Sequence, residues 1–196
     1  MKVIFLDIDG VLNTAETELQ SNTIVHIDEF RVKYLKMIVE RTGAKIVLTS
    51  SNKNHFKKVN DKVVSVSDED YYAPDFINIL NKYNLSLYDV IPTIKDSSGR
   101  EFQRQDEIKV WLSWHEDVEG FVILDDETTM LMDFVGTNLI KLNNLPVGVL
   151  VRNMEDCIGL CEEHIEQAVD ILNNKNLVKG YVKKKIQKNK FVYGKL

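Results

Sequence analysis

The sequence predicts an α/β fold, in which a mostly parallel sheet carries helices on both faces in a Rossmann-like arrangement. Short apolar runs of strand length alternate along the chain with longer segments of helical period. Such alternation is typical of βαβ units joined into a parallel sheet. Three of the apolar runs end in clusters of polar side chains, and ligands of such sheets bind beyond the carboxyl ends of the strands.

Five segments are expected to form the strands. Most are uninterrupted apolar runs, as expected of parallel strands that are buried on both faces. Pro92 weakens one assignment because proline lacks the N–H that a central strand donates. In chain order the expected strands are Val3–Leu6, Ile46–Leu48, Asp89–Ile94, Phe121–Leu124 and Leu139–Leu142.

Four helices are expected between and after these strands. Asp28 is the expected N-cap of the first helix, and Gly43 is its expected C-cap. Asp75 is the expected N-cap of the second helix, residues 106–115 form the third, and the fourth runs from about 154 to 172. The fourth would place Cys157, Cys161 and His164 on one face, which we interpret as part of a buried stripe rather than a metal site.

Composition restricts the class of protein. The chain has 196 residues, 44% apolar and 28% charged, which is typical of a globular domain and excludes a disordered chain. No apolar run reaches the length of a membrane span, and Asp7 and Asp9 interrupt the apolar N-terminal stretch that a signal peptide would need. Two cysteines provide no disulfide framework. We therefore expect a cytoplasmic protein without a membrane partner.

The charge distribution divides the chain in two. Residues 175–196 contain eight lysines and no acidic residue, which leaves 17 basic and 30 acidic side chains in residues 1–174. We expect a domain over 1–174 and a Lys-rich C-terminal extension over 175–196. Such an extension can bind the backbone of a nucleic acid, or it can lie against the acidic domain or in solvent.

The polar clusters at the strand ends indicate a phosphate and metal site. Asp7 and Asp9 follow the first strand, and they lie on the same face if the backbone there is extended. Asp125 and Asp126 follow a second strand, and carboxylates this close together repel one another unless a cation joins them. Oxygen ligands favour Mg²⁺. Thr49 is the expected phosphate ligand, and Ser50 is the next candidate for binding phosphate.

These residues resemble the motifs of the haloacid dehalogenase (HAD) superfamily. Residues 5–13 (FLDIDGVLN) resemble its first motif, a strand followed by DxDG. Residues 46–49 (IVLT) resemble its second motif, and residues 122–126 (VILDD) its fourth. The resemblance covers residues 1 to about 145 and implies a HAD fold.

The third HAD motif is a basic residue ahead of the helix that precedes the fourth motif. Residues 104–112 (RQDEIKVWL) resemble a small group of HAD domains linked to RNA-repair modules. This resemblance implies that Arg104 is the third-motif cation and binds phosphate, with Lys109 and Arg100 as the alternatives.

The resemblance implies a Mg²⁺-dependent phosphatase. Asp7 would be the nucleophile that forms an aspartyl-phosphate, and Asp9 would be the general acid and base. Mg²⁺ would be held by Asp7, by the backbone carbonyl of Asp9, and by Asp125 or Asp126.

The size of the insertions bears on the substrate. About fourteen residues separate Asn13 from Asp28, too few for a cap domain, and residues 52–74 suffice for a modest flap. The resemblance implies that such a minimally capped enzyme accepts large substrates, so we expect a nucleic-acid end or a nucleotide as the phosphorylated substrate. The alternative is a catalytically silent HAD-like module that binds nucleic acid or protein.

Overall fold

The computed structural model describes residues 1–14, 17, 25–142, 159–178 and 181, together with the backbone of 192–193. The strands are β1 (Lys2–Leu6), β2 (Lys45–Leu48), β3 (Phe56–Val59), β4 (Lys62–Ser65), β5 (Leu87–Val90), β6 (Ile94–Lys95), β7 (Gly120–Asp125), β8 (Leu139–Lys141) and β9 (Val192–Tyr193). The helices are α1 (Glu29–Thr42), α2 (Tyr72–Lys82), α3 (Arg104–Trp114) and α4 (Glu163–Asn173), and two short 3₁₀ helices span Ser51–His55 and Met132–Phe134.

One five-stranded parallel sheet organises the molecule. Its strand order is β5-β2-β1-β7-β8, so β1 is central and the order reverses between β1 and β7. Leu6 at the end of β1 lies opposite Leu48 of β2 on one side and opposite Leu124 of β7 on the other. The predicted α/β class is confirmed, and the three polar clusters follow neighbouring strands at the same edge of the sheet.

Two apolar clusters cover the two faces of the sheet. Ile4 and Leu6 of β1 belong to the first cluster, into which helices α1, α2 and α4 pack. Val3 and Phe5 belong to the second cluster, which α3 covers with the buried ring of Trp111. This period of two along β1 is what a strand with helices on both faces requires.

The caps of α1 are the predicted ones. The side chain of Asp28 accepts a hydrogen bond of 2.8 Å from the backbone N–H of Phe30. Gly43 has a φ of 67°, a left-handed conformation that glycine adopts without steric cost, and its N–H bonds the carbonyl of Val39.

Two predicted helix starts are wrong. α2 begins at Tyr72 and not beyond Asp75, because the carboxylate of Asp70 already accepts the N–H of Tyr72 and Pro74 is tolerated in a first turn. α4 begins at Glu163, so residues 159–162, which were predicted to be helical, are not. Residues 154–158, with Cys157, lie outside the described part of the chain.

A two-stranded hairpin follows β2 where the sequence suggested only a flap. β3 and β4 pair antiparallel, and Asn60 and Asp61 between them both have positive φ, at 48° and 61°. Two consecutive residues in this conformation form the tight turn that matches the twist of the flanking strands. The hairpin connects the 3₁₀ helix Ser51–His55 with α2.

The first part of the C-terminal extension packs against the domain. Val178 is buried in the second cluster, and the ring of Tyr181 packs against the rings of Phe121 and Phe134, at centroid distances of 5.6 and 5.1 Å. Strand β9 pairs with β6. All the lysines of the extension except Lys175 lie outside the described residues. Among the described residues, no helix is long and apolar enough to cross a membrane.

Candidate active site

Backbone hydrogen bonds continue one residue beyond the strands and bring three predicted site residues together. The N–H of Asp7 bonds the carbonyl of Leu124 at 3.0 Å, and the N–H of Thr49 bonds the carbonyl of Leu6 at 2.8 Å. Asp125 ends β7 directly beside Asp7. These residues lie where the strand order of the sheet reverses, which is where ligands of open α/β sheets bind.

Three carboxylates meet at this edge of the sheet. One carboxylate oxygen each from Asp7, Asp125 and Asp126 lies within 4.8 Å of the others. Asp7 and Asp125 are buried, whereas Asp126 is partly exposed. Three of the four predicted metal-site aspartates therefore share one location.

Arg104 lies between two of these carboxylates. Its Nη1 donates to Asp7 Oδ2 at 2.7 Å and also to Asp125 Oδ2. Arg104 is the first residue of α3 and is only 9% exposed, so the ion pair is shielded from water. The predicted phosphate ligand thus lies in the site, in contact with the two carboxylates.

The ionisation of the cluster reflects its burial. Burial raises the pKa of Asp7 above its ordinary value, although the guanidinium of Arg104 opposes the shift. Burial and the neighbouring charge of Asp7 raise the pKa of Asp125 to about 7. Burial alone would lower the pKa of Arg104, but the two carboxylates raise it above its ordinary value, so Arg104 stays charged.

Thr49 and Ser50 border the cluster on the side of β2, and both are buried. The hydroxyl of Thr49 has no hydrogen-bond partner among the described residues. The hydroxyl of Ser50 accepts the N–H of Asn52 at 3.2 Å, and its polarity opposes the rise of the Asp7 pKa. The hydroxyl of Thr49 is therefore the one suited to an incoming oxygen, since a buried hydroxyl without a partner is energetically costly.

Asp9 has a different environment from Asp7. The strand hydrogen bonds continue through Asp7, whereas Asp9 lies in the turn that follows, so the two residues are not on one extended strand. The carboxylate of Asp9 accepts hydrogen bonds of 2.9 Å from the side-chain amides of Asn13 and Asn52. Two aspartates two residues apart are thus held by different partners, a cation for Asp7 and neutral amides for Asp9.

The alternative third-motif cations have other partners. Lys109 pairs with Asp133 and Asp106 on the exposed side of α3. Arg100 is exposed in a loop, where its backbone N–H bonds Asp96 at 3.0 Å. Of the three candidates, Arg104 is the one in contact with the carboxylate cluster.

The donor set fits a hard divalent cation. Asp7, Asp125 and Asp126 offer only oxygen ligands, at a spacing that one ion can bridge, and Mg²⁺ prefers such ligands. A carboxylate has about four lone-pair positions, so Asp7 and Asp125 can accept Arg104 and a cation together. The carboxylate of Asp9 lies outside the cluster, and a contact through its backbone carbonyl stays a prediction.

Within the described ranges, a second group of potential metal ligands lies where α4 begins. Cys161, Glu163 and His164 also lie close together, at the start of α4. His164 Nδ1 accepts the backbone N–H of Cys161 at 3.1 Å and lies 3.2 Å from its Sγ. The predicted stripe on one helix face is wrong for Cys161, because this residue precedes α4 and is only partly buried. Since Nδ1 of His164 is used by the backbone, a structural role for the group is still favoured.

Sequence reasoning missed five polar residues in and beside the site. Asn13 and Asn52 hold Asp9, and Tyr72 in turn contacts Asn52. Lys53 forms a buried ion pair with Glu107, which joins the 3₁₀ helix after Ser50 to α3. Asn13 and Asn52 lie within three or four residues of a motif aspartate or threonine, which is a weak signal. Tyr72 is not close in sequence to any motif residue, so no local signal indicates that it belongs to the site.

One comparison with known proteins identifies relatives of this chain. The model of a protein family described as the HAD domain in Swiss Army Knife RNA repair proteins matches residues 3–145, which include all the site residues described above. Searches of curated proteins and of solved structures gave no match.

Proposed function

Because the chain belongs to the family of HAD domains in Swiss Army Knife RNA repair proteins, we propose that it is a Mg²⁺-dependent phosphate-monoester hydrolase. The observation that carries the proposal is the convergence, at the reversal point of the sheet, of three carboxylates, the buried Arg104 and the hydroxyl of Thr49, which has no partner in the described part of the chain. A phosphate group and a divalent cation would together satisfy the charges and the free hydroxyl of this arrangement.

In the proposed first step, a carboxylate oxygen of Asp7 attacks the phosphorus atom. The bond from phosphorus to the ester oxygen breaks, and Asp9 gives its proton to that oxygen as the alcohol leaves. The product on the enzyme is an aspartyl-phosphate.

In the second step, a water molecule attacks the phosphorus of this intermediate. The proton of the water returns to Asp9, the bond from phosphorus to Asp7 breaks, and inorganic phosphate is released. Asp9 thus ends the cycle protonated, as it began.

Thr49 and Arg104 would bind the phosphoryl oxygens. The hydroxyl of Thr49 has no partner among the described residues, and a guanidinium has five N–H donors, of which those on Nη1 point at the two carboxylates. Mg²⁺, held by Asp7, by Asp125 or Asp126 and by the backbone carbonyl of Asp9, would balance the negative charge of the phosphate as Asp7 approaches it.

Phosphate release from a panel of substrates tests the proposal. The panel contains phosphorylated oligoribonucleotides, nucleotides, sugar phosphates and phosphopeptides, each assayed with Mg²⁺ and with EDTA. Asp7→Asn removes the nucleophile, and Asp117→Asn is the matched control because Asp117 is exposed, pairs with the N-terminus and precedes β7 at the end opposite to Asp125. We expect release that requires Mg²⁺, stops in Asp7→Asn and persists in Asp117→Asn.

The same panel distinguishes the alternative of a silent binding module. Absence of release from every substrate, with the fold intact by circular dichroism, would reject the hydrolase proposal. Binding of an oligonucleotide by both wild type and Asp7→Asn would then favour the module that binds nucleic acid.

We further propose a nucleic-acid end or a nucleotide as the substrate. The proposal is supported by the family description, which refers to RNA repair proteins, and by the small insertion after β2, which forms a two-stranded hairpin. We expect kcat/KM for a 3′- or 5′-phosphorylated oligoribonucleotide to exceed that for any sugar phosphate. The reverse order would reject this substrate class.

A further inference from the structure

Asparagine amides hold the carboxylate of Asp9 from two sides. Asn13 Nδ2 donates to Asp9 Oδ1 at 2.9 Å, and Asn52 Nδ2 donates to Asp9 Oδ2 at the same distance. One asparagine belongs to the loop after β1, and the other belongs to the 3₁₀ helix after β2. Two bonds to different oxygens define the plane of the carboxylate as well as its direction.

The orientation of each amide is set by a further contact. Asn13 Oδ1 accepts the backbone N–H of Gly10 at 2.9 Å, so its amide nitrogen must face Asp9. Asn52 Nδ2 makes a second contact, of 3.1 Å, with the hydroxyl oxygen of Tyr72. Because an amide nitrogen carries two protons, Asp9 and Tyr72 together account for both.

Tyr72 is itself fixed by residues of the hairpin region. Its ring stacks on the imidazole of His55 at a centroid distance of 5.0 Å and meets the ring of Phe56 edge-on at 6.3 Å. Its backbone N–H bonds Asp70 Oδ1, and the other oxygen of Asp70 bonds His55 Nδ1. The hydroxyl is therefore supported by α2 and by the segment before β3.

Tyr72 remains a neutral partner for the amide. Burial raises its pKa above the ordinary value, and the charges of Asp9 and Asp7 raise it further. A protonated phenol accepts the N–H of Asn52 without adding a negative charge beside Asp9.

We propose that Asn52, backed by Tyr72, is a positioning residue that aims the carboxylate of Asp9 at the leaving oxygen. The proposal rests on the proposed hydrolase function, in which Asp9 transfers the proton. Asn13 fixes one oxygen from within the same loop, whereas Asn52 ties the other oxygen to the strand that carries Thr49. Asn52 thereby sets the position of the proton donor relative to the phosphate site, and proton transfer is sensitive to such placement.

A comparison of leaving groups tests this role. A nucleoside monophosphate releases a strongly basic alkoxide oxygen that needs a proton, whereas p-nitrophenyl phosphate releases a weakly basic phenolate that leaves without one. kcat/KM includes the step in which the alcohol leaves, so it is the quantity to compare between the two substrates.

The variants are Asn52→Leu, Tyr72→Phe and the double variant. Asn52→Leu keeps the approximate size of the side chain without its donor, and Tyr72→Phe keeps the stacked ring without the hydroxyl. Asn54→Leu is the matched control, since Asn54 lies in the same 3₁₀ helix, is exposed and contacts Thr93.

We expect Asn52→Leu to lower kcat/KM for the nucleoside monophosphate by about 10- to 100-fold, and for p-nitrophenyl phosphate by less than about threefold. Tyr72→Phe should give the same pattern with a smaller loss. The double variant should be no worse than Asn52→Leu alone, because both changes act through one amide. Asn54→Leu should match wild type on both substrates.

Two results would overturn the inference in different ways. Suppose that wild type hydrolyses both substrates. If Asn52→Leu then lowers kcat/KM equally for both, or lowers it for neither, Asn52 does not position the proton donor, and the hydrolase function still stands. If wild type hydrolyses nothing, the hydrolase function fails and the inference falls with it. Should Asn52→Leu not fold, Tyr72→Phe carries the test alone, and an equal loss on both substrates overturns the inference.

Discussion

The buried guanidinium of Arg104 pairs with both Asp7 and Asp125, and it offsets the cost of burying these two carboxylates. Arg104 contacts both carboxylates with the same nitrogen, and each of the three side chains is less than 10% exposed. Taking several charges out of water is costly, and their attraction offsets that cost only while all partners are present. The negative charge of the site is thus balanced by Arg104, which is 97 residues from Asp7 in the sequence.

Replacing Arg104 with methionine should therefore destabilise the metal-free protein. We expect Arg104→Met to lower the free energy of unfolding by about 3–5 kcal/mol, because two buried carboxylates lose their partner. Urea denaturation in EDTA measures the loss, and Lys109→Met, on the exposed side of the same helix, is the control. A loss below about 1 kcal/mol, as for a surface ion pair, would contradict this account.

The raised pKa values of Asp7 and Asp125 predict how pH changes the stability of the metal-free protein. Both carboxyl groups bind protons more tightly in the folded chain than in the unfolded one. Their contribution to stability is full below the pKa of the unfolded groups, near 4, and is lost as pH rises through about 7, the pKa of folded Asp125.

Mg²⁺ should reverse this loss, because it competes with protons for the same oxygens. We expect Mg²⁺ to raise Tm more at pH 8 than at pH 5, measured by thermal denaturation with and without the ion. In Asp125→Asn the difference between the two pH values should shrink. Equal shifts of Tm at both pH values in wild type would argue against metal binding at these carboxylates.

At the level of elements, the close contact of α4 with β7 depends on a glycine. A Cβ added to Gly120 at the start of β7 would lie 2.1 Å from the backbone carbonyl oxygen of Leu172 in α4. β7 ends at Asp125, so this contact helps to hold the strand that supplies a carboxylate to the site.

Gly120→Ala should separate helix and strand. We expect a loss of about 2 kcal/mol or more in the free energy of unfolding, since the clash is with backbone and cannot be relieved by a side-chain rotation. Urea denaturation measures it against Glu119→Ala, an exposed neighbour. An unchanged denaturation midpoint would show that α4 shifts freely and that its packing does not hold β7.

For the whole molecule, packing against the core shows which residues after 174 belong to the domain. Val178 is 5% exposed and belongs to the apolar cluster beneath α3, and Tyr181 covers Phe121 and Phe134 of the same cluster. Residues just beyond 174 therefore contribute to the core, although their lysines suggest a separate extension.

Two truncations separate these contributions. A chain that ends at residue 174 should lose about 2–4 kcal/mol of unfolding free energy, because it exposes the cluster that Val178 and Tyr181 cover. A chain that ends at residue 181 should retain most of the stability of the full protein. Equal stability of all three chains in urea denaturation would show that the extension does not stabilise the domain.

The fold class and the three polar clusters at the strand ends can be predicted from local features of the sequence. The apolar runs of β1 and β7 predict buried strands, and Asp28 and Gly43 predict the ends of α1, because each signal depends on neighbouring residues only. In a parallel sheet the carboxyl ends of strands share one edge. The meeting of Asp7, Thr49 and Asp125 was therefore predictable without knowledge of the packing.

The partners of these residues depend on contacts between distant segments. Arg104 is 97 residues from Asp7, Asn52 is 43 residues from Asp9, and Tyr72 reaches Asn52 only because α2 packs beside the hairpin. The sequence alone determined which chemical groups lie at the edge of the sheet, because that edge is a property of strands. Tertiary packing determined which cation meets Asp7 and which amides orient Asp9, because such pairs form only once helices and strands have docked.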